Sequence, residues 1–268
     1  MSSHVDATRL PGFIEPTPYL ILDKNMSSLS ERLLKKYYGD AEHPYRTFEN
    51  RVSALLFPEA TLLDAGCGRT VPVLRTFQGK AKRLIGVELV EFTDVLPGIE
   101  TYNADLAHLP LDDASVDVIM SRSVFEHLQD PESVYREFSR VLRSGGAVVF
   151  LTANMWDYGT QFARLIPNSL HARIVKVVEG RAEEDTFPTA YRTNTRTAVD
   201  RLAALAGLQV ESFEYLSQYP NYLMFNGALF FLGMCYEKVI SRIELLGFLR
   251  GWILVTLRKP GALATSRR

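Results

Sequence analysis

Cysteine is scarce in this chain. Cys67 and Cys235 are the only two in 268 residues, too few for a disulfide framework, so a reducing, cytoplasmic setting is expected. An excess of charge is lacking as well: 30 Lys and Arg stand against 31 Asp and Glu, a formal net charge of −1. That balance gives no electrostatic footprint for nucleic acid, and the basic residues are scattered instead of striped, so nucleic acid is not an expected partner. Long apolar runs are missing too. No stretch reaches the roughly 18 residues that would span a bilayer, and Met1-Ser2-Ser3-His4-Val5-Asp6 has neither the positive start nor the apolar run of a secretory signal. No internal repeat is present, and no metal site is expected. What remains is an ordinary apolar fraction of 47%, enough for one large domain with elaborations.

The most informative stretch is Leu62-Leu63-Asp64-Ala65-Gly66-Cys67-Gly68-Arg69-Thr70. It reads as a short apolar strand that ends in an acid and runs into two closely spaced glycines. Glycine suits such a loop because a tight turn needs positive φ angles and a ligand must approach the backbone without meeting a Cβ. A helix following the loop is expected to aim its free N–H groups into the same crevice. A lone G-x-G is a weak signal, so its weight comes from the acids placed downstream of it. Arg83 to Glu88 reads as a second strand, and Glu88 falls about 20 residues after the glycines, where an acid reaches ribose hydroxyls in a doubly wound sheet. Asn103-Ala104-Asp105 comes after a third apolar stretch. Ser115 to Ser121 is a fourth strand entered through Asp117, with Phe125-Glu126-His127-Leu128 just beyond it.

In this order and spacing the residues resemble the class I S-adenosylmethionine-dependent methyltransferases, in particular the methyltransferase type 11 family, from about Tyr45 to Arg258. The resemblance implies an α/β fold: a Rossmann-like seven-stranded sheet with helices on both faces, its final strand antiparallel, here with an apolar helical insertion near the C-terminus. It implies S-adenosyl-L-methionine as cofactor. Asp64, Gly66, Cys67 and Gly68 form the first motif, Glu88 is the ribose acid and Asp105 the adenine-side acid. Leu106 and Ser121 complete the expected cofactor contacts. Thr70 stands where the family often has a third glycine.

A nicotinamide dinucleotide site is the nearest rival. Its fingerprint needs a Gly or Ala where this chain has Val71, and it presents N–H groups to a pyrophosphate that Asp64 would repel. The same carboxylate suits an ammonium, which the methionine end of the sulfonium cofactor carries. Asp64 acting only as a turn cap stays open as the plain alternative.

The expected organisation is an N-terminal extension or cap over 1–45, the methyltransferase domain over 46–259 with insertions at 154–195 and 217–250, and a tail over 260–268. Helices are expected over Glu31–Tyr38, Arg46–Leu56 and Pro131–Leu142, the last with Asp130 as N-cap and Gly145 as its stop. Gly146 to Thr152 reads as a fifth strand buried on both faces. Thr195 caps a further helix that closes at Gly207, and strands are expected over Gln209–Leu216 and Gly251–Lys259.

Methyl transfer asks the protein chiefly to position two reactants and exclude water. A general base helps where the nucleophile is a hydroxyl, and histidine is the natural candidate. His4 and His43 read as solvated and His108 sits in a turn. The Glu126-His127 pair reads as positioning. His171, in the excursion after the fifth strand, is the expected base, with a plain loop histidine as the alternative. Cys67 reads as a small filler without a paired base.

The function so read is methyl transfer from S-adenosylmethionine to a small-molecule, sugar or lipid-linked acceptor, with oxygen as the expected atom. A non-catalytic cofactor-binding or membrane-surface protein is the alternative. Tyr222 to Tyr236 is the most individual stretch. It is expected to pack mainly inward with its edge bordering the acceptor pocket, which leaves at most a weak membrane-surface contact.

Overall fold

Alternation of side chains along a strand decides which core each residue enters. In the computed structural model, which describes residues 26–39, 41–165 and 188–261, seven strands form one sheet. They are β1 (Thr61–Ala65), β2 (Arg83–Glu88), β3 (Ile99–Asn103), β4 (Val116–Arg122), β5 (Leu142–Ala153), β6 (Gln209–Leu216) and β7 (Trp252–Arg258). Their spatial order is β3-β2-β1-β4-β5-β7-β6. All neighbours pair in parallel except at β7, which runs antiparallel to both β5 and β6. This is the expected Rossmann-like sheet, and order reverses between β1 and β4, where the crevice of an open α/β sheet lies.

Leu63, Ile85, Ile119, Val148, Phe150 and Val255 enter one core, whereas Leu62, Leu84, Val118, Val149, Leu151 and Leu254 enter the other. The first is closed by α3 (Pro131–Val141) and α5 (Arg196–Leu205), the second by α2 (Pro44–Ser53) through Phe48 and Val52. Local chemistry sets the helix ends. Asp130 accepts the Ser133 N–H ahead of Pro131, and the Thr195 hydroxyl accepts from Ala198. Helix α3 ends at Val141, earlier than Gly145 suggests, because Leu142 already joins β5. Two further helices are α1 (Ser28–Tyr38) and α4 (Tyr158–Leu165).

Two expectations change. No α-helix follows the glycine loop; the chain makes only a 3₁₀ turn over Leu74–Phe77. Val71 takes a φ of 47°, outside right-handed helical space, so no regular helix runs on from the loop through that position. The apolar insertion also packs differently. Its helix α6 (Gly227–Arg242) buries Phe230, Met234, Glu237 and Ile240, but leaves Leu229, Phe231, Leu232 and Val239 exposed. Its inner side meets α1 through Leu34, Met224 and Phe230. Inward packing thus describes one face, since a helix over a neighbour has only one face to bury.

Candidate active site

The carboxyl ends of β1, β2 and β4 converge on the glycine loop. Gly66 and Gly68 have φ values of 79° and 73°. A Cβ on Gly66 would lie 2.3 Å from Val124 Cγ2, so the loop after β4 closes directly on a residue without a side chain. Amides of Gly66 and Cys67 both donate to the Val87 carbonyl, at 2.9 and 3.2 Å. Cys67 is buried with Sγ against Gly86, and burial pushes its thiol well up. It is a filler and no nucleophile.

Asp64 is the unusual member. It is 2% exposed, and its Oδ2 has no hydrogen-bond partner. Burial drives its pKa from 3.8 to about 7, opposed by nearby Arg122 and reinforced by Glu88. An unpartnered buried carboxyl is costly, so Asp64 acting only as a turn cap has no bond to support it here. Ser123, just past β4 with a φ of 58°, likewise keeps a buried hydroxyl without a partner. Glu88 shapes the loop: Oε2 accepts from Gly68 N–H and Oε1 from Leu89 N–H, both at 2.8 Å. Each of its oxygens retains a lone pair for a further donor.

Asp105 comes after β3, exposed, and turns the chain by accepting the Ala107 N–H at 2.9 Å, with Leu106 buried beside it. Ser121 is placed differently from expectation. Fully buried, its hydroxyl donates to the Ala65 carbonyl at 2.7 Å. It ties β4 to β1 beneath the loop and its side chain does not line the crevice. Asp117 sits at the opposite end of β4, accepting from Thr61 N–H and bonded to Arg143.

Some residues that line the site carried no clear sequence signal. Arg122, closing β4, stands over the Tyr45 ring at 4.2 Å and approaches Glu49 at 3.4 Å. Tyr45 packs edge-on against Trp252 and His43. His43 is not a solvated loop residue: its Nδ1 accepts from Tyr45 N–H at the start of α2, its ring meets Tyr219, and burial with Arg122 lowers its pKa to about 4. Residues before the first strand fold back over the crevice only in three dimensions, which spacing along the chain does not reveal.

Glu126 is buried and accepts from Thr152 Oγ1 at 2.6 Å, while its carbonyl takes Ala190 and Tyr191 N–H. His127 Nδ1 lies 3.4 Å from the Pro188 carbonyl. The pair therefore grips the chain returning towards α5. His171 and His4 lie outside the described residues. Among the described residues no group of three or more His, Cys, Asp or Glu is placed to hold a metal.

The residues fit a ligand with a cation, a carboxylate and vicinal hydroxyls. Asp64 Oδ2 is an unmatched acceptor for an ammonium, the Arg122 guanidinium suits a carboxylate, and the free lone pairs of Glu88 suit hydroxyl donors.

Residues 63–150 match the family described as a methyltransferase domain. A probable S-adenosylmethionine-dependent methyltransferase of Mycolicibacterium smegmatis is 38% identical over 124 residues, covering 44% of this chain and 47% of that protein. The 27-O-demethylrifamycin SV methyltransferase of Amycolatopsis mediterranei is 28% identical over 227 residues, 74% of this chain and 77% of that one. The chain spans about half or less of the length of the first curated relatives it matches. Among solved structures, the [4+2]-cyclase SpnF superposes with a TM-score of 0.51 at 19% identity, covering 81% of this chain and 82% of that chain. The YcgJ protein of Bacillus subtilis gives 0.51 at 13%, covering 81% and 100%. Both likenesses are of fold.

Proposed function

We propose that this chain, which carries a class I S-adenosylmethionine-dependent methyltransferase domain, transfers the methyl group to a hydroxyl of a small-molecule acceptor. The observation that carries the cofactor half of this reading is the buried, unpartnered Asp64 carboxyl beside the glycine loop. Asp64 and Arg122 would hold the ammonium and carboxylate of the methionine end, Glu88 the ribose, and Asp105 with Leu106 the adenine side. When bound, the cofactor supplies a methyl carbon activated by a positively charged sulfur. The chain's own work is to fix the acceptor in line and keep water out. Tyr45, His43 and Trp252 form an edge-on aromatic cluster beside Arg122 at the end of β4, a surface that suits an organic acceptor.

Oxygen as the acceptor atom is supported by the likeness to the rifamycin-modifying relative, named for an O-methyl position. His171 is the proposed base. His43 is a poor one, because a group with a pKa near 4 is neutral at physiological pH yet binds a proton weakly.

The test is transfer from methyl-labelled cofactor to fractionated small-molecule extract, with the labelled product identified. Label is expected on a hydroxyl, and Glu88→Ala should weaken cofactor binding by about 1–3 kcal/mol in titration calorimetry. His171→Ala should leave that affinity intact and lower turnover by about 10²–10⁴. Cofactor binding without any labelled product would favour the non-catalytic alternative, and equal binding by Glu88→Ala would remove that acid from the site.

A further inference from the structure

Helix α6 has an outer face that none of the described residues covers. Ala228, Phe231, Leu232, Cys235, Val239 and Arg242 recur at three- and four-residue steps, so they share one side, and all are exposed. Leu232 is 62% exposed, and Ile243 and Leu245, the latter 84% exposed, prolong the strip beyond the helix. No acid interrupts it before Arg242, because Glu237 faces inward. Single exposed apolar residues are ordinary, but a continuous strip marks a contact surface.

The flank of this strip is basic. Helix α1 runs alongside α6: a Cβ on Gly227 would lie 2.6 Å from Leu29 Cβ, and the Lys36 and Lys238 ammonium groups both lie over the Tyr37 ring, at 5.2 and 4.1 Å. Leu29, Arg32 and Lys36 share the exposed side of α1 next to the strip. The rim is thus Arg32, Lys36, Lys238 and Arg242. Glu31 turns to the far side of α1, and Glu244 comes only after the helix ends. This local excess is not inherited from the whole chain, whose net charge is −1.

We infer that this face seats on the surface of an anionic phospholipid bilayer, with α6 lying in the interface plane. An apolar strip a few side chains deep enters the acyl boundary while lysine and arginine reach the headgroups on their aliphatic stems. Among the described residues no helix is long and apolar enough to cross a membrane, so the helix lies on the bilayer and does not span it. A second copy is a poorer occupant, since a two-fold contact places like basic rims against each other. The inference is independent of methyl transfer.

The test uses the purified full chain and co-sedimentation with vesicles of phosphatidylcholine alone or mixed with phosphatidylglycerol. Binding is expected to the mixed vesicles, weakened by high salt. The double variant Phe231→Ser/Leu232→Ser, altered only at exposed positions, should keep its melting temperature and bind about tenfold more weakly. Arg32→Glu/Lys36→Glu should lose a similar factor. No binding to mixed vesicles, or equal binding to phosphatidylcholine alone, overturns the inference. So does a dimer by light scattering that Leu232→Ser dissociates, which would give the face to a second copy.

Discussion

Asp64 meets two demands that pull against each other. Buried at the end of β1, it favours its neutral form, with a pKa near 7, yet an ammonium is best received by a carboxylate. Affinity for S-adenosylmethionine should therefore rise about tenfold per pH unit up to about pH 7. It should turn down above about pH 8, where an α-ammonium itself loses its proton. Titration calorimetry across that range checks this, and Asp64→Asn should bind weakly with no rise; a wild-type affinity flat from pH 5.5 to 7.5 would dissociate Asp64 from the ammonium. At this scale the positions of the glycines, Asp64, Glu88 and Asp105 at strand ends and turns were legible in the sequence, because those places impose residue types at fixed spacing. The bond from the Ser121 hydroxyl to the Ala65 carbonyl is not visible in spacing along the chain, and a lone arginine such as Arg122 at a strand end has no pattern of its own.

The underside of α6 buries an acid close to another. Glu237, 4% exposed with an unpartnered Oε2, has its pKa raised to about 8 by burial and by Asp157, with Arg250 opposing. Asp157, at the start of α4, is raised to about 6 by burial. Tyr38 from α1, Tyr158 from α4 and Tyr236 from α6 also face Glu237. A carboxyl whose folded pKa lies above its ordinary 4.5 holds a proton that the unfolded chain releases. Its stabilising contribution is complete below about 4.5 and is lost as pH rises through about 8. Thermal melts should therefore fall from pH 6 to pH 9, and Glu237→Gln, which keeps the neutral shape, should exceed the wild type at pH 9 by at least about 2–4 °C while matching it near pH 5. Parallel pH profiles for the two proteins would remove Glu237 from this role. Periodicity made α3 and β5 readable, since both bury a regular set of side chains. It could not reveal which face of α6 was free, because α6 is apolar over much of its surface and its neighbour α1 lies about 190 residues earlier in the chain, nor that Val71 leaves right-handed helical space after the loop.

At the scale of the molecule, β7 lies between β5 and β6 and pairs with each over the whole of Trp252–Arg258. Ile253, Leu254, Val255 and Leu257 fill both cores from that position. A chain ended after Arg250 should lose its cooperative melt and bind a hydrophobic dye, and a native-like transition in that truncated chain would show β7 to be dispensable. The order of strands in space also sets an order in time. When β6 has formed, some 35 residues still separate it from the strand that joins it to the sheet, and until then β5 and β6 each present a bare edge of amides and carbonyls. Bare edges recruit other chains, and the loops closed by late pairing are long. Because β6 is joined to the sheet only through β7, neither strand has its place until β7 pairs, and a chain stopped short of β7 should be the one most exposed to aggregation.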